Sequence, residues 1–249
     1  MTSVDPGILD HHSNTTFLSI NNFNIIFSPT APFIAPCKHG DNACIVQSAQ
    51  AALPIMAAGI PELGVKSLDP MHLDEIKGDQ AGLSLTFKKT TVTGMKGCTV
   101  DGVKHDLTKG KQVITIRCTV HLVGDYKLGG QLLVLPIRGE GKYNIDIQDI
   151  VIKASSELAT IDGADGKKHW HITNWHFSSQ TKTGAKFNFD NLFNGNKVLS
   201  VPVEEFVNMN WRDVMKEVAP PIVHAIVARV VEAVDALYAA VPAEELYIA

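Results

Sequence analysis

The stretch Ile114-Thr115-Ile116-Arg117-Cys118-Thr119-Val120-His121-Leu122 decides the fold class. Apolar side chains at 114, 116, 118, 120 and 122 alternate with Thr, Arg, Thr and His. That period of two describes a strand with one apolar face and one wet face. Such one-sided strands belong to antiparallel sheets, since parallel sheets are covered on both faces. The alternation extends outward. Upstream, Leu83, Leu85 and Phe87 alternate with Ser84 and Thr86; downstream, Leu133, Leu135, Ile137, Tyr143, Ile145 and Ile147 keep one parity through Gly139 and Gly141. Glycines at 124, 129, 130, 139 and 141 lie within or between these runs, where they permit the bends and bulges by which a long sheet curls. A curled sheet with one continuous apolar face must wrap around something apolar.

The C-terminal part of the chain supplies that something. From Val201 to Val241 the period returns to that of a helix, with Val223, Val227, Val230, Val234, Leu237 and Val241 on one stripe widened by Ile222, Ile226, Val231 and Tyr238. Little polar face remains, as expected of a helix buried on most sides. Pro220-Pro221 predicts a break or kink near its middle. A first helix is expected over Cys44–Ala58, N-capped by Asp41, kinked at Pro54 and ended by Gly59-Ile60-Pro61. Helix, many strands and a long helix make an α+β chain, and a rolled sheet enclosing one helix is the simplest packing of these parts.

Composition narrows the function classes. With 249 residues, 45% of them hydrophobic, the chain can bury a large core. Lys plus Arg number 22 against 26 Asp plus Glu, a net charge of −4, which gives no reason to expect nucleic acid or an anionic membrane surface. No apolar run is long enough to span a bilayer as a helix. Residues 1–35 differ from the rest: no Lys or Arg precedes Lys38, and the apolar patch Phe17–Phe27 is interrupted by asparagines. They lack the basic and unbroken apolar regions of a secretory signal and read as a degraded leader or an unstructured arm before a domain at 36–249. Asn14-Thr15-Thr16 in that arm matches a glycosylation acceptor.

The four cysteines fall in two groups. Cys37 and Cys44 bracket a short loop containing Gly40, tight enough for a local disulfide worth about 2.5 kcal/mol on the chain-entropy model. Unpaired thiols or half of a zinc site are the alternatives, the latter disfavoured because no second closely spaced pair follows. Cys98 and Cys118 sit in consecutive strand-like segments and can pair across a hairpin if the register allows.

Several motifs then resemble one family in order. Pro36-Cys37-Lys38-His39-Gly40-Asp41-Asn42-Ala43-Cys44 looks like the N-terminal disulfide motif of the insect takeout and juvenile-hormone-binding family. Gly59-Ile60-Pro61-Glu62, Ser67-Leu68-Asp69-Pro70-Met71, Asn191 to Lys197, and Asn210-Trp211-Arg212 through Ala219-Pro220-Pro221-Ile222 resemble later segments of it. The resemblance implies a super-roll, a curved antiparallel sheet around a long C-terminal helix, with a hydrophobic tunnel inside. It implies a secreted carrier of juvenile hormone-like terpenoids, fatty acid derivatives or other long-chain lipids. Cys98 and Cys118 do not fall late in the chain, where the hormone-binding branch places its second bond, which favours the takeout branch. A monomer with no cofactor is expected.

Carriage makes physical sense. A ligand burying ~400 Å² of apolar surface gains on the order of 10 kcal/mol before entropy costs, with no charged anchor. The lining expected from inward parity is Leu85, Phe87, Ile116, Leu122, Leu135, Ile137, Phe187 and Phe189 on strands, with Phe206, Met209, Met215 and Val218 on the helix. For any one of them plain core is the blander reading, and Trp211 reads as packing. An esterase acting on a lipophilic ester and an interaction protein without a ligand are the alternatives, but the sequence offers catalysis no nucleophile elbow, Walker loop or dinucleotide fingerprint. His169, His171 and His176 around Trp170 and Trp175 are the remaining constellation. Parity opposite to Trp170 and Ile172 places them on the wet face, and no carboxylate or Cys completes a metal site.

Overall fold

Alternation of this length cannot stay straight. At about 3.3 Å per residue a straight strand of 22 residues would be roughly 70 Å long, far beyond a small domain. In the computed structural model, which describes residues 30–80 and 82–248, the chain solves this by coiling. Its elements in order are β1 (Cys37–Lys38), α1 (Asn42–Ala58), β2 (Met71–Gln80), β3 (Leu83–Thr93), β4 (Thr99–Asp106), β5 (Lys111–Leu132), β6 (Leu135–Asp162), β7 (Lys168–Phe189), α2 (Lys197–Met209), α3 (Trp211–Ala240), α4 (Ala243–Leu246) and β8 (Tyr247–Ile248). An antiparallel six-stranded sheet runs β2-β3-β5-β6-β7, with β4 paired to one part of β5.

The bends have identifiable causes. Register shifts occur at Lys88/Thr91, Val100/Gly102, Cys118/Val120, Gln148/Ile150 and Glu157/Leu158. Lys89 and Asp149, the residues skipped at two of these bulges, take left-handed backbone at φ 50° and 60°. At Gly124, a Cβ would stand 2.7 Å from the Lys88 carbonyl oxygen, so the backbones close on each other only because the side chain is missing.

The rolled sheet packs on α3 chiefly through β7 and β2, while α1 lies across β4. Asp41 caps α1 by accepting from the Cys44 N–H at 3.0 Å, and Gly59 ends it. The C-terminal helix departs from the sequence expectation. It breaks at Asn210, the cap shared by α2 and α3, and runs unbroken through Pro220 and Pro221. The prolines fit because the opposing strand gives way: a Cβ at Gly78 would lie 2.9 Å from Pro221 Cγ. Both cysteine pairs are disulfides, Cys37–Cys44 and Cys98–Cys118. The second follows from register: Thr99 stands opposite Arg117, so the next rung carries Cys98 and Cys118.

Parallel β1 and β8 pair Cys37 with Tyr247 and Lys38 with Ile248, bringing the two ends of the described chain together beside α4. Ala31 is buried and Phe33 and Ile34 pack on the core, so the packed body begins ahead of Pro36. The rest of the arm, with Phe17–Phe27 and Asn14, lies outside the described residues. No helix among the described residues is long and apolar enough to cross a membrane.

Candidate ligand-binding cavity

Where the inward residues of the sheet are large, the roll is solid. Phe87 meets Tyr143 at 4.6 Å between ring centroids, and Tyr126 meets Phe189 at 4.9 Å. Where α1 crosses β4 they are small. α1 presents Ser48, Ala49, Ala52 and Ala57, and β6 presents Ala154, Ser155 and Ser156. Side chains of that size cannot fill the gap between a sheet and two helices. The result is a cavity of about 300 Å³.

Its wall is drawn from α1, the strands β4 to β7, the C-terminal half of α3 and segments near the two chain termini. α1 gives Ala52, Leu53 and Met56; β4 gives Val100, Val103 and His105; β5 and β6 give Gln112, Ile114, Ile116, Ile152 and Ala154. The C-terminal half of α3 forms the opposite side with Ile226, Val227, Val230, Val231, Val234 and Leu237. Ile34, Ala35 and Cys37 to Gly40, with Leu246 and Tyr247, close the end where β1 and β8 pair, and the exposed Lys38 and His39 stand there. Beside them Trp170 packs T-shaped on His105 at 4.9 Å and on Tyr238 at 5.3 Å, and stacks on Tyr247 at 5.7 Å.

Electrostatics at this end follow from burial. His105 is held below the usual histidine range, first by desolvation, then by His39, with Asp106 opposing. Its Nε2 is buried without a hydrogen-bond partner among the described residues. Tyr238 is pushed up to about 12, mainly by burial, although its hydroxyl donates to Gln112 Oε1 at 3.0 Å. Both groups are therefore neutral at physiological pH.

Of the residues expected to line a tunnel, Ile116 lines this cavity. Leu85, Phe87, Ile137, Phe189 and Val218 surround a separate void of only about 10 Å³ at the solid end. Leu122, Phe187 and Met215 are buried in the core, while Leu135 and Phe206 are half-buried. Met209 is 82% exposed, because α2 turns that side to solvent. Trp211 packs against the core with Arg212 over its ring at 4.4 Å. The lining from α1 and from α3 beyond Ile222 was missed, although the small-residue runs Ser48-Ala49-Gln50-Ala51-Ala52 and Ala154-Ser155-Ser156 mark it.

The histidine reading needs correction at one position. His169 is buried at 4% exposure, with Nδ1 3.2 Å from the Tyr238 carbonyl oxygen and Nε2 3.1 Å from Asp165. The turn at Gly163 folds so closely over it that a Cβ there would meet the ring at 2.4 Å, which dries a face that parity alone makes wet. His171 and His176 are exposed, and His171 faces the Asp235 carboxylate at 3.1 Å. Among the described residues no cluster of three or more His, Cys, Asp or Glu is placed to hold a metal ion.

The model of the family described as haemolymph juvenile hormone binding protein matches residues 16–248. The chain belongs to that family. Within it, the chain is 27% identical over 223 residues to the circadian clock-controlled protein daywake of Drosophila melanogaster, covering 85% of each. It is 26% identical to the juvenile hormone-binding protein of Manduca sexta over 50% of this chain and 60% of that one. The crystal structure of Epiphyas postvittana takeout 1 superposes with a TM-score of 0.84 at 32% identity, covering 87% of this chain and 100% of the other. The α+β super-roll is thus the family's architecture, and the takeout-like reading of the motifs holds.

Proposed function

We propose that the protein is a secreted carrier that holds one small lipophilic molecule in the cavity between α1, β4–β7 and the C-terminal half of α3. The observation that carries this reading is an apolar cavity of about 300 Å³ at which, among the described residues, Lys38 is the one formal cation and stands exposed at the rim. Pockets for small molecules are mostly apolar and begin near this size. At about 30 Å³ per water-sized group, the ligand has on the order of ten carbons in the enclosed part. A terpenoid ester or fatty acid derivative is of that class, in keeping with the hormone named for the Manduca sexta relative. Two disulfides suit an oxidising compartment outside the cell, and the protein acts as a monomer that binds its ligand without transforming it.

Lipid extraction and native mass spectrometry of protein from its own source test the reading, together with titration by N-phenylnaphthylamine. Co-purification of a neutral apolar molecule and saturable probe binding are expected. A protein that carries nothing and does not enhance probe fluorescence contradicts carriage. Turnover of ester substrates would move it to the hydrolase class.

A further inference from the structure

The strand registers lay one polar rung across the largely apolar floor of the cavity. His105 of β4 stands opposite Gln112 of β5, and Gln112 opposite Ser156 of β6. Directly opposed residues of antiparallel strands share a face, and all three line the cavity. The next inward rung on one side is Val103, Ile114 and Ala154; beyond the other side lie Leu107 and Ile172. From across the cavity α3 adds a fourth polar group, the Tyr238 hydroxyl on Gln112 Oε1.

Polar groups on an inward face are costly unless paired, and the folded protein pairs these incompletely. Tyr238 occupies the carboxamide oxygen of Gln112, while His105 Nε2 is buried with no hydrogen-bond partner among the described residues. A plain lipid store would place Val or Leu at these positions and gain stability by doing so. Neutral imidazole, carboxamide and hydroxyl together offer both donors and acceptors and no net charge. That combination matches an uncharged oxygen function and gives a carboxylate no counter-ion.

We infer that His105, Gln112, Ser156 and Tyr238 form a head-group subsite for a ligand with one neutral oxygen function, an alcohol, ester or ketone, whose apolar tail runs toward Met56, Val100 and Ile116. This rests on the proposal of lipid carriage and specifies which lipids. A terminal carboxylate is excluded from the rung and reaches a cation only at the exposed Lys38.

The test is competition of dodecane, dodecanol, methyl dodecanoate and dodecanoic acid against N-phenylnaphthylamine, on the full chain and on Gln112→Leu/Tyr238→Phe. Gln112→Leu alone serves if the double variant melts early. In the natural protein the alcohol and ester should compete at concentrations no higher than dodecane requires. In either variant they should weaken about tenfold, the order expected for one or two hydrogen bonds, while dodecane holds within twofold. Equal weakening of all four compounds, or no weakening of any, overturns the subsite and leaves carriage intact. An acid that competes better than the alcohol also overturns it, placing the head group at Lys38. Failure of every compound to displace the probe from the natural protein would instead sink carriage itself.

Discussion

At one end of the roll Phe87 lies 4.6 Å from Tyr143 and Phe187 lies 6.4 Å from Phe189, whereas at the other Ala52, Ala154 and Ser156 face a cavity of about 300 Å³. Both ends share the same long strands and the same helix α3. Both obey the same alternation of apolar and polar residues. What differs is side-chain volume: large aromatic residues close the gap between sheet and helix, and Ala and Ser leave it open. Inward parity therefore identifies what faces the interior, and only the sizes of facing residues identify whether that interior is core or cavity.

The largest effect should come from opening the solid end. Phe87→Ala, at a position 2% exposed, is expected to cost about 3–5 kcal/mol of stability. Denaturant melts measure this, and the folded variant should still bind N-phenylnaphthylamine at the other end. A loss under about 1 kcal/mol would show that the solid end is not solid. Removing the Cys98–Cys118 bond by double Ala substitution should cost about 3 kcal/mol for a loop of this length. It should also weaken probe binding, because Cys98 lines the cavity.

A matched pair of insertions sharpens the contrast. Ala185→Phe enters the packed core, where overpacking costs about 1–3 kcal/mol, and should leave probe affinity unchanged. Ala154→Phe enters the cavity and should cost less than about 1 kcal/mol while reducing probe affinity at least tenfold. The reverse pattern would exchange the roles of the two ends. The smallest effect belongs to Met209→Ser: at 82% exposure it should change stability by no more than about 0.5 kcal/mol and leave binding alone.

Much of the fold is legible in local patterns because local patterns cause it. Alternation over 114–122 and 133–147 becomes β5 and β6, and Asp41 caps α1 as its position suggests. The break at Asn210 instead of Pro220-Pro221 is not legible, since it depends on Gly78 of a distant strand accommodating Pro221. The same limit hides the cavity. Its size depends on small residues far apart in sequence, Ala52 and Ala154 among them, lining one space, and the rung His105–Gln112–Ser156 exists only once strand register is known. His169 shows the limit on a small scale, where one turn at Gly163 buries a residue that alternation places in water.

The tryptophans allow the central claim to be tested directly. Of the three in the chain, Trp170 and Trp175 line the cavity and Trp211 does not. Trp211 lies roughly 22 Å along α3 from Ile226, at 1.5 Å rise per residue. Bromine quenches indole emission at contact, and Trp170 packs on His105 and Tyr238 at the polar rung, so dodecanol brominated on the carbon next to its hydroxyl reports which tryptophans the head-group end of the ligand touches. Titration of Trp211→Phe should quench most of the remaining emission in a saturable way, whereas Trp170→Phe/Trp175→Phe, with Trp211 alone, should stay bright at saturation. Quenching of Trp211 with Trp170 and Trp175 unaffected would place the ligand at the end described here as solid and contradict the account.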